Sequence, residues 1–119
     1  MSDAALAYVA LGTNMPHDGV GGPDLLARAI SELRSAGLVV RALSGIWRTP
    51  AWPPGAVQPD YHNAVAALDP GGRTPERLYD TLRAVETRFG RERRERWGPR
   101  TLDLDILAIG GLKDRKSVV

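Results

Sequence analysis

Asp103 and Asp105 stand two residues apart in residues 101–109, an apolar stretch that reads as a strand. A strand advances about 3.3 Å per residue and turns alternate side chains to opposite faces, so the two carboxylates project together with Cα atoms about 6 to 7 Å apart. Carboxylates this close repel unless a cation joins them. Two divalent ions about 3.5 to 4 Å apart, the spacing of two-metal phosphoryl-transfer sites, fit between and beside such a pair. Immediately upstream lie Arg88, Arg91, Arg93, Arg94, Arg96 and Arg100, interleaved with Glu92 and Glu95. Guanidinium forks bind phosphate bidentately, so the outline is that of Mg²⁺-nucleotide chemistry. The bland alternatives are the solvated side of an amphipathic strand and a salt-bridged loop. Against the first, Asp is disfavoured in strands and two like charges on one face add repulsion. Against the second, the arginine run leads directly into the acidic pair. Trp97, between these two elements and followed by Gly98-Pro99, either stacks on a flat heterocycle or pins the loop to the core.

The elements that must carry these residues follow from periodicity and turn chemistry. Residues 6–11 are an apolar run ended by Gly12-Thr13-Asn14, a buried first strand. After Pro23-Asp24, the residues Leu25, Leu26, Ala29, Ile30 and Leu33 recur at helical spacing until Gly37. Residues 38–48 read as one strand with imperfect alternation, and residues 49–60, with four prolines, as an irregular loop. Residues 61–68 form a clear strand, followed by an Asp69-Pro70-Gly71-Gly72 turn. Thr74 offers a capping hydroxyl and Pro75 suits the first helical position. Leu78, Leu82, Val85 and Phe89 then form a buried stripe that Gly90 closes. On the last strand, Leu102, Leu104, Ile106 and Ala108 are expected on one face, and Thr101, Asp103, Asp105, Leu107 and Ile109 on the other. The order β-α-β-β-α-β predicts an α+β, ferredoxin-like fold, an antiparallel sheet with two helices on one face. That fold hosts many functions and selects none of them.

A length of 119 residues suits one domain, and 43% hydrophobic with 25% charged residues is ordinary for a soluble globular chain. No apolar run approaches the roughly 20 residues of a membrane span. The N-terminal residues lack a basic segment before an apolar one and there is no cysteine, so a cytoplasmic protein without a membrane partner is expected. A net charge of +2 weakly favours an anionic ligand. The phosphate-binding GxxxxGK[ST] loop is missing, which excludes a P-loop kinase.

Arg96-Trp97-Gly98-Pro99-Arg100-Thr101-Leu102-Asp103-Leu104-Asp105-Ile106-Leu107 closely resembles the signature of the 6-hydroxymethyl-7,8-dihydropterin pyrophosphokinase family. Tyr8-Val9-Ala10-Leu11-Gly12-Thr13-Asn14, Trp47-Arg48-Thr49-Pro50 and Gln58-Pro59-Asp60-Tyr61-His62-Asn63-Ala64 resemble further family segments in the family's order, and the resemblance covers residues 6–111. It implies transfer of pyrophosphate from ATP to the hydroxymethyl oxygen of the pterin, with release of AMP, in folate biosynthesis. It assigns two Mg²⁺ ions to Asp103 and Asp105 and catalytic roles to Arg91, Arg100 and both aspartates. It assigns ATP contacts to Glu86, Arg93, Arg96, Arg100 and Ile106, and pterin contacts to Thr49, Pro50, Tyr61, Asn63 and Trp97. Arg91 and Arg93 would lie on a loop that closes over the nucleotide. His62 alternates to the face opposite Tyr61 and Asn63 and is not assigned. ATP and the pterin are the expected partners, without nucleic acid, and a monomer is the expected state.

Two features depart from the family pattern. The family usually continues beyond Val119 with an aromatic that covers the pterin's second face, and both lysines of the chain, Lys113 and Lys116, fall in its last seven residues. The expectation is a core domain over residues 1–111 with a non-family tail at 112–119. Arg83, moreover, stands where relatives often carry glutamine. The alternatives are a truncated, inactive relative that keeps at most Mg²⁺-ATP binding, and an RNA-binding module on the same fold. The second lacks that module's aromatic platform, because the central strands offer only Tyr8 and Tyr61, and its acidic pair would repel a nucleic-acid backbone.

Overall fold

Alternating apolar residues and well-placed turn residues resolve into five strands and two helices in the computed structural model, which describes residues 6–50, 59–90 and 101–110. In chain order these are β1 (Ala7–Thr13), α1 (Gly22–Ser35), β2 (Val39–Leu43), β3 (Trp47–Thr49), β4 (Tyr61–Asp69), α2 (Pro75–Arg88) and β5 (Asp103–Ile109). The sheet runs β2-β4-β1-β5, and β3 pairs with β4 beyond the end of β2. Every pairing is antiparallel. This is the expected ferredoxin-like order, with β2 and β3 sharing the place of one strand.

Both helices cover the same face. Leu25, Leu26, Ala29, Ile30 and Leu33 of α1 and Leu78, Leu82 and Val85 of α2 meet Ala7, Val9, Leu11, Ala64, Ala66, Leu68, Leu102 and Leu104 of the sheet side in one core. A fully buried leucine contributes about 2 kcal/mol of transfer free energy, so this layer holds the domain together. The helix ends follow their sequence signals. Gly37, at φ 97°, donates to Arg34 O while Leu38 donates to Leu33 O, a left-handed termination that delivers Leu38 into the core. The Thr74 hydroxyl accepts from Arg77 N at 3.2 Å. Arg73 donates to Pro70 O at 2.9 Å and to Ala36 O at 2.6 Å, tying the β4–α2 turn to the end of α1.

Two local features differ from the sequence expectation, and a third lies in a segment for which the sequence set none. The single strand expected over 38–48 is two strands. Arg41 is an extra residue between Val40↔Leu68 and Ala42↔Ala67, and pairing lapses between Leu43 and Trp47, where Ser44 Oγ accepts from Val65 N. The bulge is the source of the imperfect alternation. In β5, Tyr8 pairs with Ala108 but Val9 with Ile106, so Leu107 is bulged out. Ile109 therefore packs against the core with Ile106, and Ala108 lies across from exposed Tyr8, the reverse of strict alternation. Finally, the loop before α1 contains a tight reversal. His17 and Val20 exchange two backbone hydrogen bonds around Asp18-Gly19, both at positive φ. No helix among the described residues is long and apolar enough to cross a membrane.

Candidate functional site

The face of the sheet away from the helices carries the chemistry. Directly paired residues of neighbouring strands share a face, so the register places side chains without further assumption. Asp103 pairs with Gly12, Gly12 with Asn63, and Asn63 with Trp47, one row crossing four strands. Asp105 pairs with Ala10 and Ala10 with Val65 in the adjacent row, and Thr49 pairs with Tyr61 on the other side. With strands about 4.8 Å apart, the carboxylate end and the Asn63 end of the first row are about 10 Å apart. Gly12 forms the floor between them. A Cβ there would lie 3.5 Å from Asn63 Oδ1 and 3.7 Å from Tyr61 Cδ1.

Hydrogen bonds set the Asn63 end. Its Nδ2 donates to Thr49 Oγ1 at 3.1 Å and to Trp47 O at 3.4 Å. A carbonyl oxygen only accepts, so the amide nitrogen faces Trp47 and Oδ1 faces Gly12, ready to accept from a ligand on the floor. Asn14 Nδ2 donates to Pro59 O at 3.2 Å and anchors the chain as it enters β4. Tyr61 and Asn63 are half-buried, and Trp47 is 46% exposed. A flat, polar-edged ring fits such a surface: a side-chain-free floor, an acceptor at one end and aromatic side chains beside it.

Asp103 is half-buried and Asp105 exposed on this face. No three His, Asp or Glu side chains converge among the described residues. Two hard carboxylates suit Mg²⁺, which is commonly held by one or two carboxylates together with waters and substrate phosphates.

Of the other residues singled out, Thr49, Tyr61 and Asn63 gather at one end of this face, and Pro50 follows β3 on the surface. Ile106 points the other way, paired with Val9 and packed against the core. His62 pairs with Thr13 on the helix side, as alternation predicts. Glu86 is fully buried in α2, where its Oε2 accepts from Leu104 N at 2.6 Å. Arg91, Arg93, Arg96, Trp97 and Arg100 lie outside the described residues, as does the segment from 111 onward. Gly12 and Trp47 are not among the residues that the sequence singles out for the site, yet they complete the Asp103–Asn63 row. The available signal for Trp47 is its place two residues before Thr49 on a common strand.

The sequence itself matches a known family. Residues 8–118 match the family described as 7,8-dihydro-6-hydroxymethylpterin-pyrophosphokinase. A 2-amino-4-hydroxy-6-hydroxymethyldihydropteridine pyrophosphokinase of Synechocystis is 45% identical over 107 residues, 87% of this chain and 50% of that protein. The enzymes of the same name from Pseudomonas putida and Haemophilus influenzae are 44% and 41% identical, over 85% and 87% of this chain and 79% and 62% of their own lengths. The chain thus spans about half the length of the Synechocystis relative. With residues 8–118 matching the family and relatives of that name 41–45% identical over 85–87% of its length, the chain belongs to the 7,8-dihydro-6-hydroxymethylpterin-pyrophosphokinase family.

Proposed function

We propose that the helix-free face binds ATP and 6-hydroxymethyl-7,8-dihydropterin side by side and transfers the β,γ-pyrophosphoryl group to the pterin's hydroxymethyl oxygen, releasing AMP. The row Asp103–Gly12–Asn63–Trp47 carries this reading, because it sets phosphate-side carboxylates and a ring-reading amide on one floor about 10 Å apart. That span suits a pterin lying over Gly12 with its hydroxymethyl arm directed toward the aspartates.

Asn63 Oδ1 accepts from the N–H groups of the pterin's amide edge, and Thr49 holds the Asn63 amide in the required rotamer. Tyr61 flanks the ring, and Trp97 is a second aromatic for it on the strength of its type and its place in the family signature. Asp103 and Asp105 are the residues that would hold two Mg²⁺ ions, which would supply Lewis-acid charge stabilisation for the phosphates. Arg91, Arg93, Arg96 and Arg100 neutralise the phosphate charge that remains, a role resting on their types and their place just before β5. Reaction follows when the hydroxymethyl oxygen lies in line with the bond between the β-phosphorus and the oxygen bridging it to the α-phosphate. The expected compartment is the cytoplasm.

The experiment is calorimetric titration of the chain with Mg²⁺ and a non-hydrolysable ATP analogue, then with the pterin, alongside an assay for AMP release. Binding of both ligands with AMP formation supports the reading. Nucleotide binding without turnover would reduce the chain to a Mg²⁺-ATP binder, and salt-sensitive binding to single-stranded RNA without ATP binding would overturn the proposal.

A further inference from the structure

Glu86 and Arg83 hold the strand that bears the aspartates in an unusual way. Leu104 lies between Asp103 and Asp105, opposite Leu11 of β1, on the outermost strand among the described residues. Its N–H donates to Glu86 Oε2 at 2.6 Å, and its carbonyl accepts from Arg83 Nη2 at 2.7 Å. Arg83 Nη1 pairs in turn with Glu86 Oε1 at 3.0 Å, and the guanidinium stacks over the Tyr79 ring at 4.7 Å. Side chains from one turn of α2 therefore present an acceptor and a donor to β5, as the backbone of a further strand would.

The two peptide units gripped are those that join Leu104 to Asp103 and to Asp105. Fixing both planes fixes the direction of the Cα–Cβ bond on either side, and hence the separation of the two carboxylates on the opposite face. The clamp is fully buried at its Glu86 end, which excludes water that would compete for the Leu104 N–H. We propose that Arg83 and Glu86 are positioning residues for the aspartate pair: from the helix side they hold β5 at the pitch at which Asp103 and Asp105 share a divalent cation. This inference rests on the metal reading of those aspartates. It also gives Arg83, the departure from the usual glutamine, a defined role in balancing the charge of a buried carboxylate and donating a hydrogen bond to Leu104 O.

The test compares wild type with Glu86→Gln, which keeps an acceptor for the Leu104 N–H, and with the double variant Arg83→Met plus Glu86→Leu. The double variant removes the charges together and fills the volume, a change that buried ion pairs often tolerate in stability. Three affinities are measured for each: Mg²⁺ at saturating ATP analogue, the analogue in EDTA, and the pterin. Lost support of metal-binding carboxylates typically costs about 10- to 100-fold in metal affinity. The double variant should show such a loss for Mg²⁺, with pterin affinity nearly unchanged, analogue affinity in EDTA falling far less than Mg²⁺ affinity, and Glu86→Gln retaining most of the Mg²⁺ affinity. Equal loss of all three affinities would mean that the pair merely maintains the fold. A loss of analogue affinity in EDTA as large as the loss for Mg²⁺, with pterin binding kept, would make Glu86 a direct nucleotide contact. No loss of Mg²⁺ affinity would leave the clamp without a function. Each of these outcomes overturns the inference while the proposed function stands. A wild-type chain that fails to bind Mg²⁺ with the analogue overturns both, so the two failures are distinguishable.

Discussion

The two faces of one sheet are built to opposite specifications. Along β1, Ala7, Val9, Leu11 and Thr13 alternate onto the helix side and are buried, while Tyr8, Ala10 and Gly12 alternate onto the other. The helix side is filled with branched apolar side chains whose shape complements their neighbours, and any loss of volume is felt as stability. On the helix-free side, the two central β1 positions facing the aspartates are the smallest residues available, Ala10 and Gly12. Polar groups stand at the rim of that floor: Asp103 and Asp105 on β5, Asn63 and Tyr61 on β4. Stability and chemistry are separated by the period-2 alternation of the strand, and each face should respond to mutation in its own observable.

The sharpest test of that separation is Asp103→Ala with Asp105→Ala. Pyrophosphoryl transfer should fall on the order of 10³-fold, the scale of losing a preorganised electrostatic stabiliser. The melting temperature should hold or rise slightly, since two like charges leave one face. Unchanged Mg²⁺-dependent binding in this variant would remove the metal assignment. Next in size, Leu11→Ala opens a cavity under both helices and should cost about 2 to 5 kcal/mol in urea unfolding. Its ligand affinities, measured where it remains folded, should change little. A selective loss of binding instead would mean that the faces are coupled. Gly12→Ala is predicted to move the two observables in opposite directions. The added Cβ meets only ordinary contact distances and the backbone φ is unremarkable, so stability should hold or rise. A methyl group standing on the floor should weaken pterin binding roughly 10-fold. Unaltered affinity would place the ring elsewhere.

The smallest effect concerns a carboxylate remote from the site row. Asp69 accepts from Gly71 N at 2.9 Å and pairs with Arg41 at 3.3 Å, and these partners hold its carboxyl below the ordinary value of 3.8. A depressed folded-state value makes the contribution fully present above that ordinary value and lost as pH falls through the lower, folded one. Asp69→Asn should therefore lower the melting temperature slightly at neutral pH, and the gap to wild type should close in acid. A gap that persists undiminished in acid would show that the turn does not depend on the charge.

Much of this was legible because local rules and tertiary structure agreed. Gly37, Thr74 and Gly90 mark helix boundaries by chemistry that needs no partner from elsewhere in the chain. The common face of Asp103 and Asp105 followed from the pleat alone. What escaped depends on strands meeting. The bulges at Arg41 and Leu107 are relations between two strands, and nothing local in either announces them. The second of these carries Ile109 to the core side against strict alternation. Glu86 resembles a surface acid because charged residues are usually exposed. Its position is nevertheless informative. It lies four residues after Leu82 and eight after Leu78, on the buried stripe itself, where a carboxylate must have a partner. Asp18-Gly19 carries a hairpin signal, but it lies within a longer glycine-rich loop that obscures it.

Arg73 has a consequence for how the molecule comes apart. Its single guanidinium spans Pro70 O, at the turn that begins the second half of the chain, and Ala36 O, at the end of the helix that belongs to the first. Fraying of either turn alone must break a bond that the other also uses, so these two distant segments open together. The backbone amides around Gly37 and Gly71 should exchange with solvent through one shared opening event, and the two β-α-β halves of the domain should lose structure as a single cooperative unit.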